Sequence, residues 1–226
     1  MDKKPSPVRT PAKADDTTRE QLLDAATTLF AEHGIAATTI AQIAAHVGVT
    51  SAMVHYYFKT RDHLLDAIVE ERIMHFTAIV WGSFTGSEAD PISLVKGLVA
   101  QIIKACEIMP WLPPLWIREI VNEGGMLREK TMQHISFDRQ KKFVECITAG
   151  QNRGEVNMEI DPRLLYMSII GLTLLPLAAA KIWNRIPILE GLGKDDLARH
   201  VTALLMHGLA NPRPNHNGNH SNVDSM

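Results

Sequence analysis

The chain has 226 residues, of which 46% are hydrophobic and 21% charged, and its formal net charge is −2 at pH 7. This composition is typical of a globular chain of one or two domains, and it excludes both a globally basic protein and an acidic disordered one. The chain has two cysteines, Cys106 and Cys146, too few for a disulfide framework, so we expect a reducing, cytoplasmic environment.

Both ends of the chain lack the patterns of folded elements. Residues 1–16 contain charges and prolines but no apolar run, which predicts a flexible arm and neither a signal peptide nor a membrane anchor. Residues 211–226 are polar and rich in asparagine, which predicts a disordered tail.

Helical periodicity dominates the sequence between the ends, and alternating strand patterns are nearly absent. Thr17, with a glutamate three residues later, has the spacing of a capping box at the start of a first helix that Gly34 ends. Thr39 and Gln42 repeat this spacing for a short second helix that ends at Gly48.

A third short helix follows, and Thr50 is placed to cap it. Val54 and Phe58 are four residues apart in this helix, so they share the face that points to the core. A long fourth helix is predicted to begin at Thr60 and to continue to about Trp81.

The rest of the chain predicts a larger helical body, interrupted at the stretches "PWLPPLW" and "EGGM". An N-cap aspartate followed by proline starts a helix at Asp90 and another at Asp161. The predicted helices cover about residues 90–109, a short segment ending near 123, 127–151, a segment from 162, and 194–209. The predicted fold class is therefore all-α, with a three-helix unit in front of a helical body.

The segment Leu164 to Ala180 is uncharged and raises the question of a membrane helix. It barely reaches the length that a spanning helix needs, and Pro176 interrupts it. Since a helix that is apolar on all sides needs only burial, we expect a buried or interface helix here and no membrane span.

Two short helices joined by a tight glycine-containing turn form a helix-turn-helix, whose second helix enters the DNA major groove. The outward face of the third helix carries a hydroxyl, a methionine and a cluster of rings, and ring O–H and N–H groups can donate to phosphate. The charges of residues 1–65 cancel, and three short helices also occur in ordinary bundles. Periodicity alone leaves both interpretations open.

The stretch "TTIAQIAAHVGVTSAMVHYYFKTRDHLLDAI" closely resembles the DNA-binding segment of the TetR family of bacterial transcriptional regulators. The resemblance covers about residues 17–68 and includes the threonine-capped second helix, the Gly-Val-Thr turn and the aromatic end of the third helix. Three positions depart from the family pattern: Ala52 stands where glycine is common, His55 where tyrosine is usual, and Tyr57 where histidine is frequent.

The resemblance implies a helix-turn-helix domain at residues 17–62, a ligand-binding and dimerisation domain at 63–210, and no cofactor. It implies a homodimer that binds a double-stranded DNA operator and leaves it when a small molecule binds. The DNA-binding residues predicted on this basis are Thr39, Thr50, Ser51, Met53, His55, Tyr56, Tyr57 and Arg61.

The apolar surplus near Leu164–Trp183, together with Lys194–Leu209, predicts a two-fold dimer, and a two-fold dimer predicts a near-palindromic operator. Flexible methionines and large aromatic rings at the helix breaks predict an apolar or amphipathic effector. The predicted ligand-binding residues are Met109, Trp111, Trp116, Arg118, Met126, Met132, Phe137 and Tyr166. Core packing is the alternative role for each of them.

Other functions find less support in the sequence. No phosphate-binding glycine loop or activated nucleophile is present, and the predicted helices hold no metal-spaced pair, so we expect neither an enzyme nor a metal site. His216 and His220 have helical ligand spacing but lie in the predicted tail. Two alternatives stay open: a redox-responsive regulator that uses Cys106 and Cys146, and a constitutive DNA-binding protein without an inducer.

Overall fold

The computed structural model describes residues 11–82, 84 and 90–210. Helices joined by turns make up this part of the chain, with one isolated antiparallel bridge between Val156 and Ala210. The all-α prediction is therefore confirmed. Residues 1–10 of the predicted arm and the predicted tail at 211–226, with His216 and His220, lie outside the described residues.

Helix α1 spans Pro11–His33, so the prediction that it starts at Thr17 is wrong. Proline is accommodated in a first helical turn because its missing N–H would have no partner there. Ala12 and Lys13, which follow it, are good helix formers. Thr17 and its glutamate therefore lie inside the helix, and the last part of the predicted arm is helical.

Helices α2 (Ile40–Val47) and α3 (Ser51–Phe58) follow, each 8 residues long. The Thr39 hydroxyl accepts the Gln42 N–H, and the Gln42 side chain accepts the Thr39 N–H, which confirms the predicted capping box. Gly48 ends α2 with φ of 78°, a left-handed conformation that glycine adopts without steric cost. This cap ends α2 abruptly, so that α3 begins only three residues later, at Ser51.

The predicted long fourth helix is present but is not uniform. It consists of α4 (Arg61–Ile68), a π-helical turn (Val69–Ile73) and α5 (Met74–Trp81). The Thr60 hydroxyl caps its start by accepting the His63 N–H at 3.2 Å. Because no loop separates the three segments, they connect the front of the molecule to the rear in one run of chain.

The rear half contains seven further α-helices among the described residues. The Asp90 and Asp161 caps are confirmed, since the two carboxylates accept the N–H groups of Ser93 and Arg163. The helices are α6 (Pro91–Ile108), α7 (Leu112–Trp116) with a π-helical turn (Ile117–Val121), α8 (Arg128–His134), α9 (Asp138–Asn152), α10 (Pro162–Ala178), α11 (Ala180–Trp183) and, after a 3₁₀ turn (Pro187–Leu189), α12 (Lys194–Leu209).

The prediction of a single helix at residues 127–151 is wrong, because α8 ends at His134 and α9 begins at Asp138. Ile135 is extended, with φ of −76° and ψ of 120°. The Ser136 hydroxyl accepts the Asp138 N–H at 3.4 Å, which supplies a new helix start that competes with continuation of α8.

Two hydrophobic clusters organise the packing. The front cluster holds α1 to α4 and the first π-helical turn, and it also includes Leu115, Ile120 and Leu127 from the rear half. The rear cluster holds the inner faces of α5, α6, α9, α10 and α12. Trp111 and Trp116 contact both clusters. The front core thus crosses the predicted domain boundary at residues 62 and 63, and that boundary stays a prediction.

Helix α10 contains the uncharged segment. Its inner face buries Leu165, Ile169 and Leu174, while Leu164 and Leu175 are exposed. No described helix is both long enough and apolar enough to cross a membrane.

Candidate functional site

The helix-turn-helix is held together by inward side chains of α3. Val54 is 1% exposed and Phe58 is 4% exposed, and both belong to the front cluster, as their four-residue spacing predicts. The Arg19 guanidinium lies over the Phe58 ring, 5.2 Å from its centre. Thr50 stands at the N-cap position of α3, but its side chain makes no capping bond. Helix α3 is thus oriented by packing rather than by its cap.

The opposite face of α3 is open to solvent. His55 and Tyr56 are exposed, and Ser51, Met53 and Tyr57 are half-buried. The rings of Tyr56 and Tyr57 meet edge to face with centres 5.0 Å apart. Edge-to-face contacts are favourable for aromatic pairs, and this face presents hydroxyl and imidazole groups to solvent.

The structure keeps all eight predicted DNA-binding residues accessible. Thr39 and Thr50 are exposed at the N-termini of α2 and α3, and Arg61 is half-buried at the start of α4. The guanidinium of Arg61 donates to the Ile35 carbonyl and lies 5.6 Å from the centre of the Phe30 ring. Arg61 therefore has a structural contact that its sequence position did not reveal.

Lys59, between α3 and α4, was not among the predicted site residues. Its backbone has φ of 60° and ψ of −64°, and Thr60 N–H donates to the Phe58 carbonyl at 2.6 Å, the geometry of a strained three-residue turn. The ammonium donates to the Tyr56 carbonyl at 3.2 Å and lies 5.8 Å from that ring. A cation is thereby held beside the exposed tyrosine.

Ion pairs fix α1 against the fourth-helix run. Arg19 donates to both carboxylate oxygens of Glu71, at 2.8 and 2.5 Å. Arg72 reaches back to Glu20 and Asp24 at 2.7 and 2.9 Å. The hydrogen bond from Arg19 holds the pKa of Glu71 below its usual value.

The structure divides the eight predicted ligand-binding residues between the core and the surface, and their role in ligand binding stays a prediction. Met109 belongs to the rear cluster and Tyr166 packs against it, where burial raises the pKa of Tyr166 to about 12. Trp111 and Trp116 lie between the two clusters. The remaining four, Arg118, Met126, Met132 and Phe137, are exposed.

A cavity of about 450 Å³ lies elsewhere, between the end of α10, α11 and the start of α12. Its walls are mainly apolar, with Asp196 and His200 as the polar groups. The Asp196 carboxylate accepts the Gly193 N–H at 2.8 Å. The lining residues are Pro176, Ala179, Trp183, Leu189, Leu192, Gly193, Asp196, Leu197 and His200. The sequence signal for this site is the interruption of the apolar run by Pro176, a residue that lines the cavity.

Neither cysteine is placed for redox sensing. Cys106 and Cys146 are buried in the rear cluster. Burial raises the pKa of the Cys106 thiol to about 12 and that of Cys146 in the same direction, so the reactive thiolate is disfavoured. Within the described residues, no group of three or more His, Cys, Asp and Glu side chains is arranged to hold a metal ion.

Comparison with known proteins agrees with this geometry. Residues 22–68 match the family described as bacterial regulatory proteins, tetR family. The HTH-type transcriptional repressor KstR2 of Rhodococcus jostii is 23% identical over 211 residues, covering 90% of this chain and 98% of the relative. The HTH-type transcriptional regulator TtgR of Pseudomonas putida is 25% identical over 175 residues, covering 73% and 81%.

A solved structure extends the similarity to the fold. The ketosteroid transcriptional regulator KstR2 of Mycobacterium tuberculosis superposes with a TM-score of 0.68 at 21% identity, covering 85% of this chain and 94% of that one. The predicted family is confirmed by the family match and by the relatives' names. The segment at residues 22–68 is therefore that of the tetR family of bacterial regulatory proteins, and the chain resembles named transcriptional regulators along most of its length.

Proposed function

We propose that the protein is a homodimeric repressor that leaves a near-palindromic operator when a small apolar or amphipathic molecule binds. The observation that carries the DNA part of the proposal is the exposed face of α3, where His55 and Tyr56 project from a helix anchored by Val54 and Phe58. Ser51 and Met53, near the N-terminus of α3, are the groups we assign to base edges. Thr39, Thr50, Tyr57 and Arg61 are assigned to the phosphate backbone.

The dimer part rests on two exposed stripes that the monomer leaves uncovered. On α10, Leu164, Met167, Gly171 and Leu175 are exposed at helical spacing. On α12, the exposed positions are Ala203, Leu204, His207 and Gly208. Small residues among aliphatic ones allow two helices to approach closely, and a two-fold contact buries each stripe against its copy. A two-fold dimer separates its recognition helices by about 34–36 Å, one turn of DNA.

The effector site that we propose is the cavity between α10 and α12. Its volume of about 450 Å³ is within the usual range for small-molecule sites, and its apolar wall with few polar groups suits an apolar or amphipathic ligand. It adjoins both stripes of the proposed dimer. A ligand that fits better when the two helices are further apart would shift the dimer towards that geometry. The equilibrium between the two geometries shifts by the ratio of the ligand's affinities for them.

The experiment is a titration of the full-length protein against its own upstream DNA, followed by fluorescence anisotropy, with a small-molecule library added to the complex. Since one relative is named a ketosteroid regulator, the library should include steroid-sized apolar compounds. We expect one near-palindromic segment to bind, and at least one compound to release it. Release by oxidation alone would favour the redox alternative, and binding that no compound affects would favour a constitutive regulator.

The location of the effector is tested with a cavity-filling variant. Leu197 lines the cavity, so Leu197→Trp should abolish release by the compound while it leaves operator affinity unchanged. Ile108→Trp, a replacement at an exposed position on α6, is the control. If Leu197→Trp still responds and Trp116→Ala does not, the effector binds among the residues predicted from the sequence.

The reading of DNA bases is tested with Met53. Replacing its side chain should change the preferred base pair at one operator position and leave the salt dependence of binding unaltered, because base contacts carry sequence information and little of the ionic term. The measurement is a competition between operators that differ at single positions.

A further inference from the structure

The turn between α1 and α2 is built around the buried residue Ile35. Gly34 begins the turn with φ of 87°, and the Thr38 hydroxyl donates to the Gly34 carbonyl at 2.8 Å. Ile35 itself is fully buried, and its carbonyl accepts the Thr38 N–H at 3.2 Å. Thr39 comes next and caps α2, so the position of this turn sets the position of the first residues of α2.

A carboxylate from the rear half of the chain reaches this turn. Glu119, in the π-helical turn Ile117–Val121, is only 5% exposed. One carboxylate oxygen accepts the Ile35 N–H at 3.0 Å, and the other accepts the Met126 N–H at 3.1 Å. Glu119 therefore connects the α1–α2 turn directly to the segment that precedes α8.

The chain around Glu119 is shaped to hold the carboxylate in place. The Leu127 N–H donates to the Glu119 carbonyl at 3.2 Å, so residues 124–127 fold back over Glu119. A Cβ at Gly125 would lie 2.2 Å from that carbonyl oxygen, whereas a Cβ at Gly124 would meet no atom within 4 Å. The backbone at position 125 thus lies so close to the Glu119 carbonyl that only glycine fits there.

The backbone of Ile35 is also held by the first residue of α4. Arg61 donates to the Ile35 carbonyl, while Glu119 accepts the Ile35 N–H. Packing alone does not account for a carboxylate here, because a buried carboxylate is costly unless it is hydrogen-bonded and an aliphatic residue would fill the front cluster. What the carboxylate adds is a directional link between two parts of the molecule.

We propose that Glu119 is a positioning residue for DNA binding. It holds the α1–α2 turn, and with it Thr39 and the start of α2, in the orientation that lets α3 enter the major groove. One of its two readouts, operator affinity, rests on the proposed function. The other readout, amide hydrogen exchange of the peptide containing Ile35, needs no DNA.

The first test compares Glu119→Gln with Glu123→Gln in the full-length protein. Glutamine has one acceptor oxygen and an NH₂ group, so one of the two backbone N–H groups would face a donor. We expect Glu119→Gln to weaken operator binding about tenfold and to speed exchange at Ile35. Glu123 is exposed four residues away, and its replacement removes the same charge, so it should behave as the wild type.

The second test leaves Glu119 unchanged and displaces its surroundings. Gly125→Ala should reproduce the loss of operator affinity and the faster exchange, because the added methyl group collides with the Glu119 carbonyl. Gly124→Ala adds the same methyl group at a position with open space and should leave both readouts at wild-type values.

A stability control separates positioning from general weakening of the fold. Val99→Ala shortens a side chain buried in the rear cluster, far in sequence from the Glu119 contacts, and should lower the melting temperature without changing operator affinity where the protein is folded. The proposal is overturned if folded Glu119→Gln exchanges at Ile35 and binds operator as the wild type does, or if Val99→Ala weakens binding equally. If the wild type binds no operator, the proposed function and the positioning role are both refuted. Faster exchange at Ile35 in Glu119→Gln would then show only that Glu119 stabilises the α1–α2 turn.

Discussion

Helices α3 and α10 both expose large side chains, but the chemistry of the two surfaces differs. The open face of α3 presents an imidazole and a phenol next to the Lys59 ammonium, all able to donate hydrogen bonds. The open face of α10 presents Leu164, Met167 and Leu175, which can donate none. A polar, cationic surface suits phosphate, and an aliphatic stripe suits another aliphatic stripe. In the proposed function, α3 therefore faces DNA and α10 faces the second protomer.

The largest effect is expected where the aliphatic surface is given a charge. Leu175→Glu should convert the proposed dimer to monomer, because pairing α10 with its copy would bury an unpaired carboxylate, at a cost of several kcal/mol. Sedimentation velocity at micromolar concentration measures this. Val121→Glu is the matched control, since Val121 and Leu175 are both 57% exposed and Val121 lies outside the two stripes. A wild-type monomer, or a Leu175→Glu dimer, would contradict the assigned interface.

The next effect separates the two sides of α3. Phe58→Ala removes a ring from the front cluster and should lower the free energy of unfolding by about 3–5 kcal/mol. Tyr56→Ala removes a ring that is 60% exposed, and we expect a change within about 0.5 kcal/mol together with weaker operator binding. Urea denaturation and anisotropy on the same samples test both expectations. If Tyr56→Ala destabilises the fold as much as Phe58→Ala, the outer ring belongs to the core.

A smaller effect distinguishes the two cations beside α3. Lys59→Ala and Arg61→Ala should each weaken binding to all sequences and lower the slope of log affinity against log salt by about 0.9, as expected for one lost phosphate contact. Only Arg61→Ala should also lower the melting temperature, because Arg61 donates to the Ile35 carbonyl. An unchanged slope for Arg61→Ala would mean that this residue acts on the fold alone.

The smallest effect concerns acid stability, at the contact between α1 and the fourth-helix run. The bond from Arg19 lowers the pKa of Glu71 from its ordinary value of 4.5, so its contribution to stability is present above that pH and is lost as the pH falls through the lowered pKa. Glu71→Gln should therefore be less stable than the wild type at neutral pH, and this difference should shrink below pH 4.5. Melting curves from neutral to acid pH measure it. A difference that does not change with pH would show that the ion pair contributes nothing.

Much of the front of the molecule could be predicted because its signals are local. A capping box needs only Thr39 and Gln42 three residues apart, and the left-handed turn needs only a glycine at position 48. The inward face of α3 follows from the helical spacing of Val54 and Phe58. The start of α1 could not be predicted in the same way, because Thr17 has the residue types of a cap but nothing nearby stops the helix from extending to Pro11.

The rear of the molecule depended on contacts between distant segments. Methionines and tryptophans at the helix breaks have the composition of a pocket wall. The packing of α5, α6 and α10 buries Met109, half-buries Tyr166 and leaves Phe137 exposed. The cavity that we propose for the effector lies where α10, α11 and α12 diverge. Residue type alone does not say which side of a helix has a neighbour.

The sequence by itself determined the all-α class, the helix-turn-helix and the apolar character of α10, because periodicity, caps and turns act over a few residues. Tertiary structure decided that Leu115, Ile120 and Leu127 complete the front core, and that Arg61 and Glu119 hold the C=O and the N–H of Ile35. Arg61 and Glu119 lie 26 and 84 positions away from Ile35 in the chain. Such pairs leave no local pattern, since each residue taken alone is compatible with many surroundings and only the packed helices select one.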